Sequence, residues 1–218
     1  MKQNYLSRFA LCVLGLSFYG LGGALGVLAG SAGTNAWSTL ALGISDLTAI
    51  SYGTGTFLVS LAVLLIDFLG KGKLGFGTLL NAVLIPVFSD LFLALFAFLP
   101  PVTHPVLGTA LSLLGQTVIA FATILYMMPA LGCGPRDTLM VIIGRRFPRL
   151  PIGTVKFFIE LAVLLIGVLL GAPFGIGTVL VMALQASIFQ MVCRICRYEP
   201  RDVVHEDFAD TVKGIFKK

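Results

Sequence analysis

The chain has 218 residues, of which 57% are hydrophobic and 11% charged, with a formal net charge of +5. A soluble domain carries about a quarter charged residues, so this chain cannot clothe itself in polar groups and must face lipid. The positive balance does not mark a nucleic-acid face: the basic residues sit between apolar blocks and in the C-terminal tail, where membrane orientation accounts for them.

The first apolar block runs from Arg8 to Gly30. Lys2 and Arg8 precede it and Ala29–Gly33 resembles a cleavage site, but the block exceeds the roughly 7–15 residues of a signal core, so it is expected to stay as an uncleaved first helix. Gly22, Gly26 and Gly30 recur every fourth residue, a small-residue face that lets helices approach closely. Internal helix packing is the expected use, and a homodimer contact is the other.

Between Ser31 and Ser51 lies a piece too short to span, starting Gly33-Thr34-Asn35-Ala36-Trp37. Thr34 or Asn35 can cap a short helix there. The second span, Tyr52–Gly70, ends with Asp67 within a turn of Lys71 and Lys73, which predicts snorkelling at the interface. The third, Leu74–Leu99, is the most polar and kink-prone, with Asn81, Pro86, Ser89 and Asp90. Asp90 lies roughly 24 Å along it at 1.5 Å per residue, with no basic residue nearby. A charge at membrane depth is a functional-site hypothesis by default. Asp90 is therefore expected either to contact a proton, cation or solute, with Asn81 beside it in the path, or to structure the outer end of its helix.

After the fourth span, Val106–Pro129, a second short piece reads Gly132-Cys133-Gly134-Pro135-Arg136-Asp137-Thr138-Leu139. Like its counterpart at Gly33, it is either a re-entrant segment lining a path or a helix lying flat on the bilayer. A helix N-terminus there would present free N–H groups to an anion. Asn35, Trp37, Arg136 and Asp137 are the path candidates from these pieces, although a local Arg136–Asp137 ion pair is the plainer expectation. In the fifth span, Thr154–Gly171, Glu160 follows Lys156 at i,i+4 spacing and can pair with it, and it also stands as a path candidate. The sixth span is Phe174–Val192. A tail follows with Phe208, Val212, Ile215 and Phe216 at amphipathic spacing, suited to the inner leaflet or the protein's own base.

With six spans, the basic residues (Lys2, Arg8, Lys71, Lys73, Arg136, Arg145, Arg146, Arg149, Lys156, Arg194, Arg197, Arg201, Lys213, Lys217 and Lys218) all fall on one side. The positive-inside rule makes that side the cytoplasm, with both termini in it. The chain also repeats itself. Gly53–Leu80 aligns with Gly153–Leu180 at an offset of one hundred, Leu61–Ile66 recurring as Leu161–Ile166 and Gly75-Phe76-Gly77-Thr78 as Gly175-Ile176-Gly177-Thr178. Three spans are an odd number, so the second copy must enter from the opposite face. Such inverted repeats recur in transporters, with sites at the repeat interface.

Cys12, Cys133, Cys193 and Cys196 form no disulfide framework, and Cys193–Cys196 lacks the context of a redox or metal motif. His104 and His205 are expected on opposite faces. No hydrolase or metalloenzyme constellation is present, so neither enzyme activity nor a metal or other cofactor is expected.

The residues Gly33–Trp37 and Leu40, Gly75–Asn81 with Pro86 and Asp90, Gly132–Met140, and Gly175–Thr178 together resemble the YczE/YitT-like family of small bacterial integral membrane proteins. The chain reads Ala36-Trp37-Ser38 where that family more often has Pro-Trp-Asp. The resemblance implies a bacterial plasma membrane.

The expected fold is all-α: six transmembrane helices as two inverted three-helix repeats, about 8–99 and 106–198, each with a short re-entrant or interfacial helix. One transmembrane domain covers 1–198 and an amphipathic tail 199–218. The expected function is a small-solute or ion permease with its path between the repeats. The alternative is a non-transporting scaffold or accessory subunit.

Overall fold

The computed structural model describes residues 4–100, 102–199 and 203–216. Lys2, Arg201, Lys217 and Lys218, four of the orienting charges, lie outside the described residues. Nine α-helices occur among the described residues: α1 Tyr5–Leu28, α2 Ala36–Thr48, α3 Tyr52–Leu69, α4 Phe76–Leu95, α5 Pro105–Met127, α6 Pro135–Arg146, α7 Ile152–Leu169, α8 Ile176–Ile195 and α9 Phe208–Phe216. Six of them, α1, α3, α4, α5, α7 and α8, are long and apolar enough to cross a bilayer, and they coincide with the six expected spans. The chain is an all-helical integral membrane protein.

The two ends of the bundle are defined by contacts. At the basal end, where α1 begins, the Arg8 side chain donates to the Pro129 carbonyl at 2.8 Å, so the end of α5 lies beside the start of α1. At the distal end, Gly30 approaches the carbonyl of Val102. Helix α1 is the central post, packed along α5 on one side and α4 on the other. The α1–α5 crossing is made by two glycines. A Cβ on Gly22 would sit 2.7 Å from the Gly115 carbonyl oxygen, and one on Gly115 would sit 2.6 Å from that of Gly22. The glycine stripe is thus used inside the fold, as far as Gly22 and Gly26. Gly30 falls outside it: α1 has ended, and Gly30 turns the chain with φ 59 in a short 3-10 turn.

The Gly-x-Gly-Thr segments open α4 and α8, and each seats against the break in the other half of the chain. Gly77 N–H donates to Leu131 O at 2.8 Å, and the Thr78 hydroxyl donates to Cys133 O at 2.7 Å. On the other side Gly175 and Gly177 abut the carbonyl of Ala32, and Thr178 meets Gly33. There the Gly33 carbonyl accepts from Ser112, leaving the buried Thr178 hydroxyl without a partner.

Two expectations change here. Asp67 does not snorkel: it is 0% exposed, and neither carboxylate oxygen accepts a hydrogen bond. Helix α3 closes with Lys71 in the left-handed region (φ 55), Gly72 N–H returning to Asp67 O at 2.8 Å and Lys71 N–H to Phe68 O at 3.1 Å. That turn carries the chain away from the helix axis, and among the described residues no lysine pairs with Asp67. Secondly, α2 is no flat surface helix. Ala36, Trp37, Ser38, Thr39 and Ala41 are buried, and the helix packs between α3 and α7.

The tail rests on the protein's own base. Glu206 pairs with Arg8 at 2.8 Å, its N–H donates to Ala130 O at 2.8 Å, and the Phe208 ring lies 4.9 Å from that of Phe76. The strap thereby ties α1, α4 and the α5–α6 break together.

Candidate functional site

Between the two halves lies a cavity of about 430 Å³. Side chains from α1, α2, α4, α5, α6, α7, α8 and the tail strap line it. Both short helices begin at its wall. Asn35 caps α2 by accepting Ser38 N–H at 3.0 Å, and Ala36 and Trp37 follow it along the lining. Helix α6 starts from Gly134 with Pro135 at its first position, where the missing N–H costs nothing. Asp137 sits in that first turn, where the helix dipole favours a carboxylate. Burial pushes the Cys133 thiol, just before the turn, above its ordinary pKa.

The charged groups divide into two sets. Glu160 accepts from Gln185 of α8 and lies 3.8 Å from Lys156, as the i,i+4 spacing predicts. Arg136 and Asp137, expected to pair with each other, do not. The Arg136 guanidinium lies 4.8 Å from the ring centre of Trp37 on α2, a cation–π contact. Asp137 turns the other way and accepts the Tyr126 hydroxyl of α5 at 3.1 Å. Successive helical residues point about 100° apart, so the two charges are held toward different walls.

Of the residues singled out in the sequence, Asn35, Trp37, Asn81, Arg136, Asp137 and Glu160 all line the cavity. Asp90 does not. Its carboxylate accepts Gly53 N–H at 2.6 Å, satisfying a free donor at the start of α3, so it structures the outer end of its helix. Arg136 and Lys156, counted among the orienting charges, likewise face the cavity.

The sequence did not single out Tyr19, Gln116, Tyr126, Gln185 or His205, which also line it. Gln116 and Gln185 carried a signal, being uncharged polar groups deep in apolar spans. His205 carried none, because the strap brings it in from the tail. Burial holds its ring below the ordinary pKa of 6.5, an effect that Asp137 opposes in part. Among the described residues, no group of three or more His, Cys, Asp or Glu is placed to hold a metal ion.

The chain is 38% identical over 186 residues to an uncharacterized protein of Haemophilus influenzae, an alignment covering 85% of this chain and 83% of the relative. It is 27% identical over 192 residues to the uncharacterized membrane protein YczE of Bacillus subtilis, covering 87% of each. No solved structure matches the chain. The resemblance expected from the Gly-rich motifs is thus met by whole-chain similarity, and the match of residues 6–194 to the family model places the chain in DUF6198, a family of unknown function.

Proposed function

We propose that the chain is a small-solute or ion permease of the bacterial plasma membrane, with both termini cytoplasmic and its pathway between two inverted halves. The observation that carries this reading is the cavity: a chamber holding charged and amide groups on a mostly apolar wall, inside a bundle whose outer surface is apolar, lined by both halves and by the starts of both short helices. Irregular backbone and charges at membrane depth persist where they line a wet path. The reciprocal seating of each Gly-x-Gly-Thr segment on the other half's break supports the inverted arrangement.

An asymmetry between the halves supports gating. Helices α3 and α4 pack side by side and are tied at the distal end by Asp90 and Gly53. Their counterparts α7 and α8 barely pack, joined mainly through the Gln185–Glu160 hydrogen bond. A Cβ on Gly53 would collide with Pro86 and Asp90, whereas one on Gly153 would meet nothing within 4 Å. The α3–α4 pair is closed distally, and its rotated counterpart α7–α8 is parted basally. In this reading the chain is in an inward-facing state, and transport exchanges the two arrangements.

Flux into proteoliposomes across a panel of ions and small metabolites tests the proposal. Saturable uptake above protein-free vesicles is expected. No uptake anywhere in the panel, with a stable hetero-complex recovered from membranes in mild detergent, would instead support a scaffold or accessory subunit.

A further inference from the structure

The charges at the cavity wall do not cancel locally. Lys156, half exposed, lies 3.8 Å from Glu160. Among the described residues Arg136 has no carboxylate within ion-pair distance and Asp137 no cation, although they are neighbours in the chain. Trp37 holds the first toward α2 and Tyr126 the second toward α5. His205, also at the wall, is biased toward its neutral form by burial. Among the described residues the cavity therefore offers a cation and an anion that form no ion pair and are held in different directions, with Glu160 also within the field of Arg136.

The lining also holds apolar side chains, among them Ile119, Ala120, Met127, Ile159 and Phe189. Amide groups of Asn81 and Gln116 add donors and acceptors to it, and Gln185 is engaged with Glu160. A volume of about 430 Å³ lies in the range of small-molecule sites, which are mostly apolar with a few placed polar groups. Arg136 and Asp137 are half-buried, and a solute that displaces water from both while carrying one charge would leave one of them without a partner. A solute carrying both would satisfy each.

We infer that this cavity binds a small carboxylate–ammonium zwitterion of amino-acid size, its carboxylate on Arg136 and its ammonium on Asp137, with an apolar body along α5. The inference deepens the permease reading and rests on the same cavity, but it concerns binding and can be tested without transport. The ammonium would also face the Tyr126 and Tyr19 rings, which stack edge-on at 6.3 Å.

The test is equilibrium binding to the purified full chain in mild detergent, read by scintillation proximity. The probes are the tritiated amino acids and glycine betaine, each alone. For the best binder, competition is then measured against the matched compound lacking the ammonium and the matched compound lacking the carboxylate; for leucine these are 4-methylpentanoate and isopentylamine.

At least one zwitterion should bind saturably, with both single-charge analogues weaker by about tenfold or more, the consequence of losing a charge-assisted contact. Arg136→Gln and Asp137→Asn should each weaken binding by a similar factor, and Arg136→Lys should restore part of the loss. Absence of binding by every zwitterion overturns the inference, and so does an analogue that binds as tightly as its parent or unchanged affinity in both variants. Should those variants not fold, the analogue comparison on the unaltered protein decides alone. Zwitterion binding without flux would sink the permease reading and leave this one standing. Flux of a simple ion without zwitterion binding would do the reverse.

Discussion

The Asp90 carboxylate accepts the backbone N–H of Gly53 at 2.6 Å, joining the distal end of α4 to the first turn of α3. A hydrogen bond to a charged group contributes about 1.5–3 kcal/mol, and here it also satisfies a helix-start donor. Asp90→Ala should lower stability by about that amount. Asp90→Asn, which keeps an acceptor, should cost less. Thermal unfolding in detergent measures both, and equal losses for the two variants would mean that the oxygen acceptor is not what matters.

The corresponding glycines of the two halves should respond differently to a methyl group. Gly53→Ala forces a Cβ into Pro86 and Asp90 and should cost about 1–3 kcal/mol by overpacking. Gly153→Ala meets open space and removes a helix-weakening glycine, so it should be neutral or stabilising by up to about 1 kcal/mol. Comparable destabilisation in both would contradict the asymmetry of α3–α4 and α7–α8.

The two chain breaks should tolerate no side chain. Gly33 (φ 78) and Gly132 (φ 123) adopt positive φ, and a Cβ would run into Thr178 and Thr78 respectively. Left-handed backbone costs a residue with a Cβ about 1–2 kcal/mol, and crowding adds about 1–3 kcal/mol. Gly33→Ala and Gly132→Ala should therefore reduce the folded yield from membranes sharply, while Gly171→Ala, strained but uncrowded, should lose only the backbone part.

Undocking of the tail strap should be promoted by acid. The docked His205 ring is held below 6.5 by burial, so the undocked ring binds a proton more readily. Docking is thus at full strength above pH 6.5 and weakens as the pH falls toward the lowered value. Limited proteolysis should cut the tail faster at about pH 5.5 than at about pH 7.5, and His205→Gln should remove that difference. Glu206→Gln should raise cutting at both pH values by weakening the pair with Arg8, whose side chain is 13% exposed. A proteolysis rate independent of pH in the unaltered protein would refute the assignment to His205.

Asp67 is buried without a donor to either oxygen, an arrangement that costs stability. Asp67→Asn should raise the melting temperature, by about 2–4 °C for each kcal/mol recovered. A fall in melting temperature would reveal that the carboxylate makes a contact the fold depends on.

Most of this architecture was legible from the residues. A continuous run of apolar residues has few alternatives once water is excluded, so the six spans and the two breaks at Gly33 and Gly132 could be read directly. The cavity residues Asn35, Trp37, Asn81, Arg136, Asp137 and Glu160 were legible for a related reason, as polar groups at membrane depth. Their partners were not. Arg136 beside Asp137 reads as an ion pair in one dimension, and only the packing of α2 against α6's side of the bundle supplies Trp37 as the better neighbour. Asp90 read either as a path residue or as a support for its helix end, and the sequence could not choose because its capping partner, Gly53, lies 37 residues away on another helix. Asp67 read as interfacial because nothing local announced the left-handed turn at Lys71. His205 entered the cavity through a tail contact that no periodicity encodes.

The most direct measurement of the gated pathway is uptake through a protein locked at its distal gate. With Cys12, Cys133, Cys193 and Cys196 replaced, Gly53→Cys and Asp90→Cys would place two thiols where α3 and α4 already touch, and because the Gly53 Cβ crowds Pro86 the oxidised protein is compared with the same protein reduced. A gate that must open predicts that oxidation to the disulfide abolishes solute uptake in proteoliposomes and that a reductant restores it. Uptake that continues at the same rate with the disulfide fully formed would contradict a gate that opens by parting α3 from α4.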